Sequence, residues 1–234
     1  MDALVLRRRT PRCNALAAER GLTRRPRLLA GERLPAHPRQ KRSLEKRARL
    51  KAAGLAVFAQ KGYERASIED IARRAKLAVG GFYQHFGSKR QLLLVLMDEL
   101  LEKLSGLDLR LPAMTAPRKA LRELLSGAFS HDLRYLGAYR AWQEAVLADP
   151  GLARKQRRIH AWTTARVTAV FYFLARLPGG RKRVDISGLA SAMDTFFWSV
   201  LANAARLTQA ELNRSIDSAT HLIYHALFKD SSKE

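Results

Sequence analysis

RLKAAGLAVFAQKGYERASIEDIARRAKLAVGGFYQHFGSKRQLLLVLMDELLEK, residues 49–103, decides how this chain folds. Its apolar residues recur at spacings of three and four, interrupted by glycine and serine. That pattern predicts three short amphipathic helices feeding a fourth, longer one. The first runs from Leu44, with Leu44, Ala48, Ala52, Leu55, Ala56, Phe58 and Ala59 as its buried stripe, and Gly62 stops it. Ser67 starts the second. Its hydroxyl is placed to accept a first-turn N–H, and Asp70 answers three residues later, a capping box with Asp in place of Glu. Ile68, Ile71, Ala72 and Ala75 form the buried side of that helix. After a Lys76-Leu77 turn, Ala78 to Phe86 read as the third helix, packed through Phe82 and Phe86 at i and i+4. Gly87 breaks it and Ser88 caps the fourth, whose wide apolar face is Leu92, Leu93, Val95, Leu96, Leu100, Leu101 and Leu104.

Two short helices joined by a tight turn hold the second proud of the surface. Its exposed side then enters the major groove of DNA while its buried side fixes the angle. With Leu77, Phe82 and Phe86 inside, the outward set is Ala78, Val79, Gly81, Gln84 and His85. The run Ser67-Ile68-Glu69-Asp70-Ile71-Ala72, followed by Phe82-Tyr83-Gln84-His85-Phe86-Gly87-Ser88-Lys89, resembles the helix-turn-helix of the TetR family of bacterial transcription regulators. The resemblance covers about a quarter of the chain.

The resemblance implies that Ser67, Val79, Gly80, Gly81, Tyr83, Gln84 and His85 lie at the DNA and that Lys89 meets a phosphate. Each role has a physical basis. Tyr83 offers a phenolic donor on a rigid ring, Gln84 can pair with adenine N6 and N7, and Lys89 sits in a first helical turn where free N–H groups also attract an anion. Val79 and the Gly80-Gly81 pair are small, which suits close backbone approach. The chain departs from the family pattern at Lys76, where glycine is usual, and at Ala78, where a hydroxyl cap is usual. A left-handed Lys76 costs roughly 1–2 kcal/mol and the lost cap ~1 kcal/mol.

Composition points the same way. Of 234 residues, 43 are Lys or Arg against 21 Asp or Glu, a net charge of +22, which favours a polyanionic partner through counterion release. A single cysteine, Cys13, rules out an internal disulfide framework and a Cys-rich zinc site. No apolar run approaches the ~18 residues needed to cross a bilayer. A cytoplasmic protein without membrane partner, cofactor or resident metal is the expectation. His221 and His225 stand one helical turn apart, but no Glu or Cys at helical spacing joins them. No nucleophile elbow, Walker loop or dinucleotide fingerprint occurs, so no enzyme reading survives.

Residues 1–40 hold ten Arg with Pro11, Pro26, Pro35 and Pro38 and no lasting period, which predicts a disordered basic tail. A DNA-touching arm, an early start codon and an organelle-type presequence each account for it. Beyond Pro112 the expected helices span 117–134, 136–148, 150–177, 185–206 and 209–228. The architecture is therefore all-α. An N-terminal three-helix helix-turn-helix head occupies 43–103, with the motif at 67–86, and a C-terminal helical effector-binding and dimerisation domain occupies 112–230.

From the resemblance, the C-terminal helices form a homodimer and enclose an effector pocket, so that two heads read a palindromic operator in double-stranded DNA. Leu189, Met193, Phe196, Phe197, Val200 and Leu201, with Ile216, Ala219, Ile223, Ala226 and Leu227, are candidate dimer faces. Tyr139, Trp142, Trp162, Phe171, Phe196 and Trp198 are candidate pocket residues for a small hydrophobic effector, and Arg140, Arg166 and His131 are candidate anchors for an acid group. The expected function is a DNA-binding regulator, a repressor released by its effector. Two alternatives stand beside it: an effector-independent architectural or global regulator, and a helical interaction or membrane-surface protein with a vestigial head.

Overall fold

The computed structural model describes residues 24–106, 116–132 and 135–229. Its helices are α1 (Lys41–Lys61), α2 (Ile68–Arg74), α3 (Val79–Tyr83), α4 (Lys89–Ser105), α5 (Pro117–Asp132), α6 (Leu136–Ala148), α7 (Pro150–Leu174), α8 (Ile186–Asn203) and α9 (Gln209–Leu227). Among the described residues the only strand-like pairing is one isolated bridge, Gly180 to Phe228. The all-α expectation holds. No described helix is long and apolar enough to cross a membrane.

Local chemistry accounts for the boundaries. The Ser67 hydroxyl accepts from Asp70 N at 3.1 Å, and the Asp70 carboxylate accepts from Ser67 N, completing the capping box. Ser88 caps α4 through Gln91 N, and Thr208 with Glu211 forms a second box on α9. Asp149 caps α7, accepting from Gly151 N and Leu152 N, and Pro150 fills the first helical position, where its missing N–H is harmless. Lys76 has φ 55°, the left-handed turn expected from its place, and Ala78 gives α3 no side-chain cap.

The head is three helices around Phe82, Phe86, Ile71, Leu50 and Phe58, all fully buried. Its core runs on without a break into the body. Leu92, Leu93, Leu94, Val95, Leu96 and Met97 of α4 are buried on all sides, because α4 packs on the head with one face and on α6 with another. A second cluster joins α5, α7, α8 and α9 through Leu121, Val170, Leu174, Ala190, Ile223 and Leu227. At Gly137 a Cβ would lie 2.1 Å from the Leu55 carbonyl oxygen, so α6 crosses α1 at backbone contact and only glycine fits there.

Four expectations need correction. The buried stripe of α1 is Arg47, Leu50, Ala53, Gly54, Val57 and Phe58, while Leu44, Ala48, Ala52 and Ala59 are exposed. Both faces repeat at three and four, and the many alanines gave them equal claims. The helix before Gly87 is shorter than expected, ending at Tyr83 with Gln84 as its cap.

The tail expected to be disordered is ordered where it is described. Leu28 is 1% exposed, Arg25 pairs with Asp98 (2.8 Å) and Glu102 (2.6 Å), and Glu32 pairs with Arg90 (2.8 Å). Lys155 of α7 holds the Leu28 carbonyl at 2.5 Å. The segment therefore straps the head helix α4 to the body helix α7, which no local period reveals. Residues 1–23 with Cys13, and the expected domain start at Pro112, lie outside the described residues, as does the side chain of His131.

Finally, Val200, Leu201, Ile216, Ala219, Ile223 and Leu227, named for a dimer face, are buried within the protomer. Most of them face α5 and α7, whose apolar sides need covering first, while Leu201 joins the cluster of Tyr139, Trp142 and Trp198. The exposed sides of α8 and α9 carry Ser191, Ala192, Thr195, Ser199 and Leu222 instead.

Candidate nucleic-acid interface

The surface of α3 follows from what holds it down. Phe82 and Phe86 are fully buried with ring centroids 5.7 Å apart, so α3 cannot roll. Arg47 of α1 donates to the His85 carbonyl at 2.8 Å, and its guanidinium lies 4.4 Å over the Phe86 ring. Sequence reading missed Arg47. Its only signal was its position on the 47-50-54-57 stripe, where a charged residue looks out of place.

With that face fixed, Ala78, Gly80, Tyr83 and Gln84 project to solvent and Tyr83 is 51% exposed. Val79 is half-buried against the core. A Cβ at Gly80 would meet nothing within 4 Å, and one at Gly81 only the Leu77 Cβ at 3.6 Å. Neither glycine has positive φ. Nothing inside the chain requires glycine at either position, so the bare backbone there is available to an outside surface.

His85 does not face outward. It is 2% exposed, and neither ring nitrogen has a hydrogen-bond partner. Burial, then the charges of Arg47 and Lys46, push its pKa below the ordinary 6.5. The shorter α3 turns residue 85 inward beside Phe86, whereas a helix continuing to 86 would have kept it on the outer side.

Lys89 has partners within the chain. Its ammonium donates to three backbone carbonyls, Tyr63 (2.9 Å), Glu64 (3.2 Å) and Ala66 (3.2 Å), and sits 4.5 Å over the Tyr63 ring. An ammonium has three N–H donors, and all are engaged. Lys89 thus ties the start of α4 to the loop that positions α2. Cations without ion pairs among the described residues flank the exposed face of α3: Lys76 in the turn before it, Arg74 at the end of α2, and Lys46, whose charge reaches His85. Arg73 and Lys61 are instead paired to Asp70, whose carboxyl is held below its usual range, chiefly by the Lys61 hydrogen bond.

The body holds a cavity of about 140 Å³ between α4, α5, α7, α8 and α9. Of the expected pocket residues, Trp162 and Phe171 line it. Tyr139, Trp142, Phe196 and Trp198 do not. Tyr139 stacks on Trp198 at 5.0 Å, the Trp142 indole N–H is held by Gln156, and Phe196 packs into the separate cluster around Phe129. Phe197 rather than Phe196 reaches the cavity, since adjacent residues on a helix point about 100° apart. Of the expected acid anchors, Arg166 lines the wall, while Arg140 lies beside Glu144 on α6. The His221 and His225 rings are 4.2 Å apart, and no group of three possible metal ligands occurs among the described residues.

Residues 50–96 match the model of the bacterial regulatory proteins of the tetR family. Over 152 residues the chain is 30% identical to the HTH-type transcriptional activator FasR of Mycolicibacterium smegmatis, spanning 63% of this chain and 68% of that protein. A TetR family transcriptional regulator from Pseudomonas syringae pv. tomato superposes with TM-score 0.57 at 26% identity, over 79% of this chain and 97% of that one. A complex of SmeT with triclosan superposes with TM-score 0.59 at 22% identity, over 81% and 94%.

Proposed function

Because the chain belongs to the TetR family of bacterial regulatory proteins, and so is a DNA-binding transcriptional regulator rather than an enzyme, we propose that it acts as a homodimeric repressor. In this reading it occupies a palindromic operator and leaves when a small apolar effector fills the body cavity. The observation that carries the reading is that Leu104, in the last turn of the helix whose start holds the head, is also a wall of the cavity. A ligand there presses on the helix whose first turn, through Lys89, holds the loop that positions α2.

The head would span residues 43–103 and the regulatory domain 112–230, with α4 shared between them. Tyr83, Gln84 and the Gly80-Gly81 backbone would meet the groove, with Val79 at its edge and Ser67 at the phosphates. Lys46, Arg74 and Lys76 would take the phosphate role expected of Lys89, and His85 would support the helix from inside. Two-fold pairing through the small residues Ala192, Thr195 and Ser199 and the exposed Leu222 would bring two heads to half-sites about one helical turn, ~34–36 Å, apart. SmeT's complex with triclosan supports an apolar effector in this architecture.

The test is selection of duplexes from a randomised pool at physiological salt with excess nonspecific competitor. A two-fold symmetric site is the expected product, and recovery of no common sequence would refute the operator reading in favour of charge-driven coating. The relation to FasR, an activator, favours a second reading of the sign alone. Transcription in vitro from a promoter bearing the selected site separates the two, falling with added protein in the first case and rising in the second.

A further inference from the structure

The cavity wall is apolar except at a few points, and two of its residues, the half-buried Arg166 and the buried Trp162, carry donors with spare capacity. Arg166, on α7, is half-buried in that wall, and no carboxylate lies within ion-pair distance of it among the described residues. Its one hydrogen bond goes from Nη2 to the Leu104 carbonyl at 3.1 Å, and its guanidinium lies 5.1 Å over the Trp162 ring. Trp162 is the second. Its indole Nε1–H is buried and has no partner. Burial alone pulls the Arg166 pKa down, with no acidic neighbour opposing it. A guanidinium carries five donors and keeps its charge, so one on an apolar wall with a single neutral acceptor has donors left for an anion. An indole N–H buried without partner calls for an acceptor as well.

We propose that this cavity takes amphipathic monocarboxylic acids, with the carboxylate on Arg166 and the Trp162 indole N–H and the apolar body against Leu121, Val170 and Ile223. A dry cavity of about 150 Å³ holds a benzene-sized group, so the apolar body that fits 140 Å³ has about six to eight carbons. The assignment rests on the effector-responsive reading for its consequence. A carboxylate is a stronger acceptor than the Leu104 carbonyl, so a bound acid draws Arg166 off the last turn of α4. The other charged group on the wall, Asp194, already accepts from His160 Nδ1 and the Thr164 hydroxyl, each at 3.1 Å.

The test titrates the full-length protein calorimetrically with phenylacetate, 2-phenylethanol and 2-phenylethylamine, which share one apolar body. Phenylacetate should bind roughly ten- to a hundredfold more tightly than the alcohol, the range of a charge-assisted hydrogen-bond pair. Arg166→Met should erase that preference while leaving 2-phenylethanol binding in place. Arg166→Lys, which keeps charge but loses the fork, should retain part of it and serves if the Met variant does not fold. Equal binding of acid and alcohol overturns the assignment, as does an acid preference that survives Arg166→Met, or no binding of any of the three. Tightest binding of the amine also overturns it and gives the cavity to a cation at Asp194. Operator release is read separately. An acid that binds through Arg166 without releasing DNA keeps the site and removes the effector role, whereas release by uncharged ligands with no acid preference does the reverse.

Discussion

Replacing Lys89 with Met would distinguish a structural cation from a DNA contact at the position where the two readings disagree. Met keeps most of the apolar stem and removes only the ammonium, which holds three carbonyls of the loop from Tyr63 to Ala66. A hydrogen bond to a charged group contributes ~1.5–3 kcal/mol when well shielded. Lys89 is half-exposed, and Glu64 at the surface would be rehydrated, so the three bonds together fall near the cost of one shielded bond. Loss of the Tyr63 ring contact adds ~0.5–1 kcal/mol, and removal of a cation from the first turn of α4 returns ~0.3–1 kcal/mol. The net loss is about 2 kcal/mol, and in a chain of this size each kcal/mol moves Tm by ~2–4 °C. Thermal denaturation should therefore drop by about 4–8 °C. DNA binding should weaken, but the slope of log affinity against log salt should hold, because no phosphate contact is lost. A direct phosphate contact would instead reduce the slope by ~0.9 for each head. An unchanged Tm with a reduced slope would refute the structural assignment.

Gly80→Ala should raise stability by ~0.5–1 kcal/mol, because Ala is the better helix former and its Cβ meets open space, while weakening operator binding; unchanged binding in a gel-shift titration would sink the close-approach argument. Gln84→Ala should relax base preference at one position per half-site by ~1–3 kcal/mol in a mutated-site series, with the other positions unaffected. Leu28→Ala should cost ~2–5 kcal/mol in denaturant unfolding, the range for a buried leucine, and a cost near zero would mean that the strap is not docked in solution. His85 titrates in the opposite sense to a histidine that gains a partner. Its folded pKa is lowered by burial, then by Arg47 and Lys46, so the unfolded chain binds more protons. Stability is full above the ordinary value of 6.5 and falls as pH drops below it toward the lowered folded value, and His85→Leu should flatten that decline between pH 7 and pH 5.

Sequence alone determined where the helices lie and how several of them start, because capping and periodicity act within a few residues, though not where α3 ends. The Ser67–Asp70 box, the Ser88 cap, the Asp149-Pro150 start of α7 and the left-handed Lys76 all follow from neighbours in the chain. The same local rules made the DNA-reading head legible, since Phe82 and Phe86 both anchor α3 and leave Tyr83 and Gln84 outside. What only the tertiary structure decided are choices between partners far apart in sequence. Leu28 is buried because Lys155, Asp98 and Arg90 with Glu32 hold its segment down across gaps of dozens of residues. Lys89 holds three backbone carbonyls because the α1–α2 loop folds back over the start of α4. Phe197 rather than Phe196 lines the cavity because the rotation of α8 is set by packing on α7 and α9, and one residue's difference in register turns a side chain by about 100°. Periodicity states that a helix has a buried face, but where two faces are equally apolar, as on α1, only the neighbour that covers one of them makes the choice.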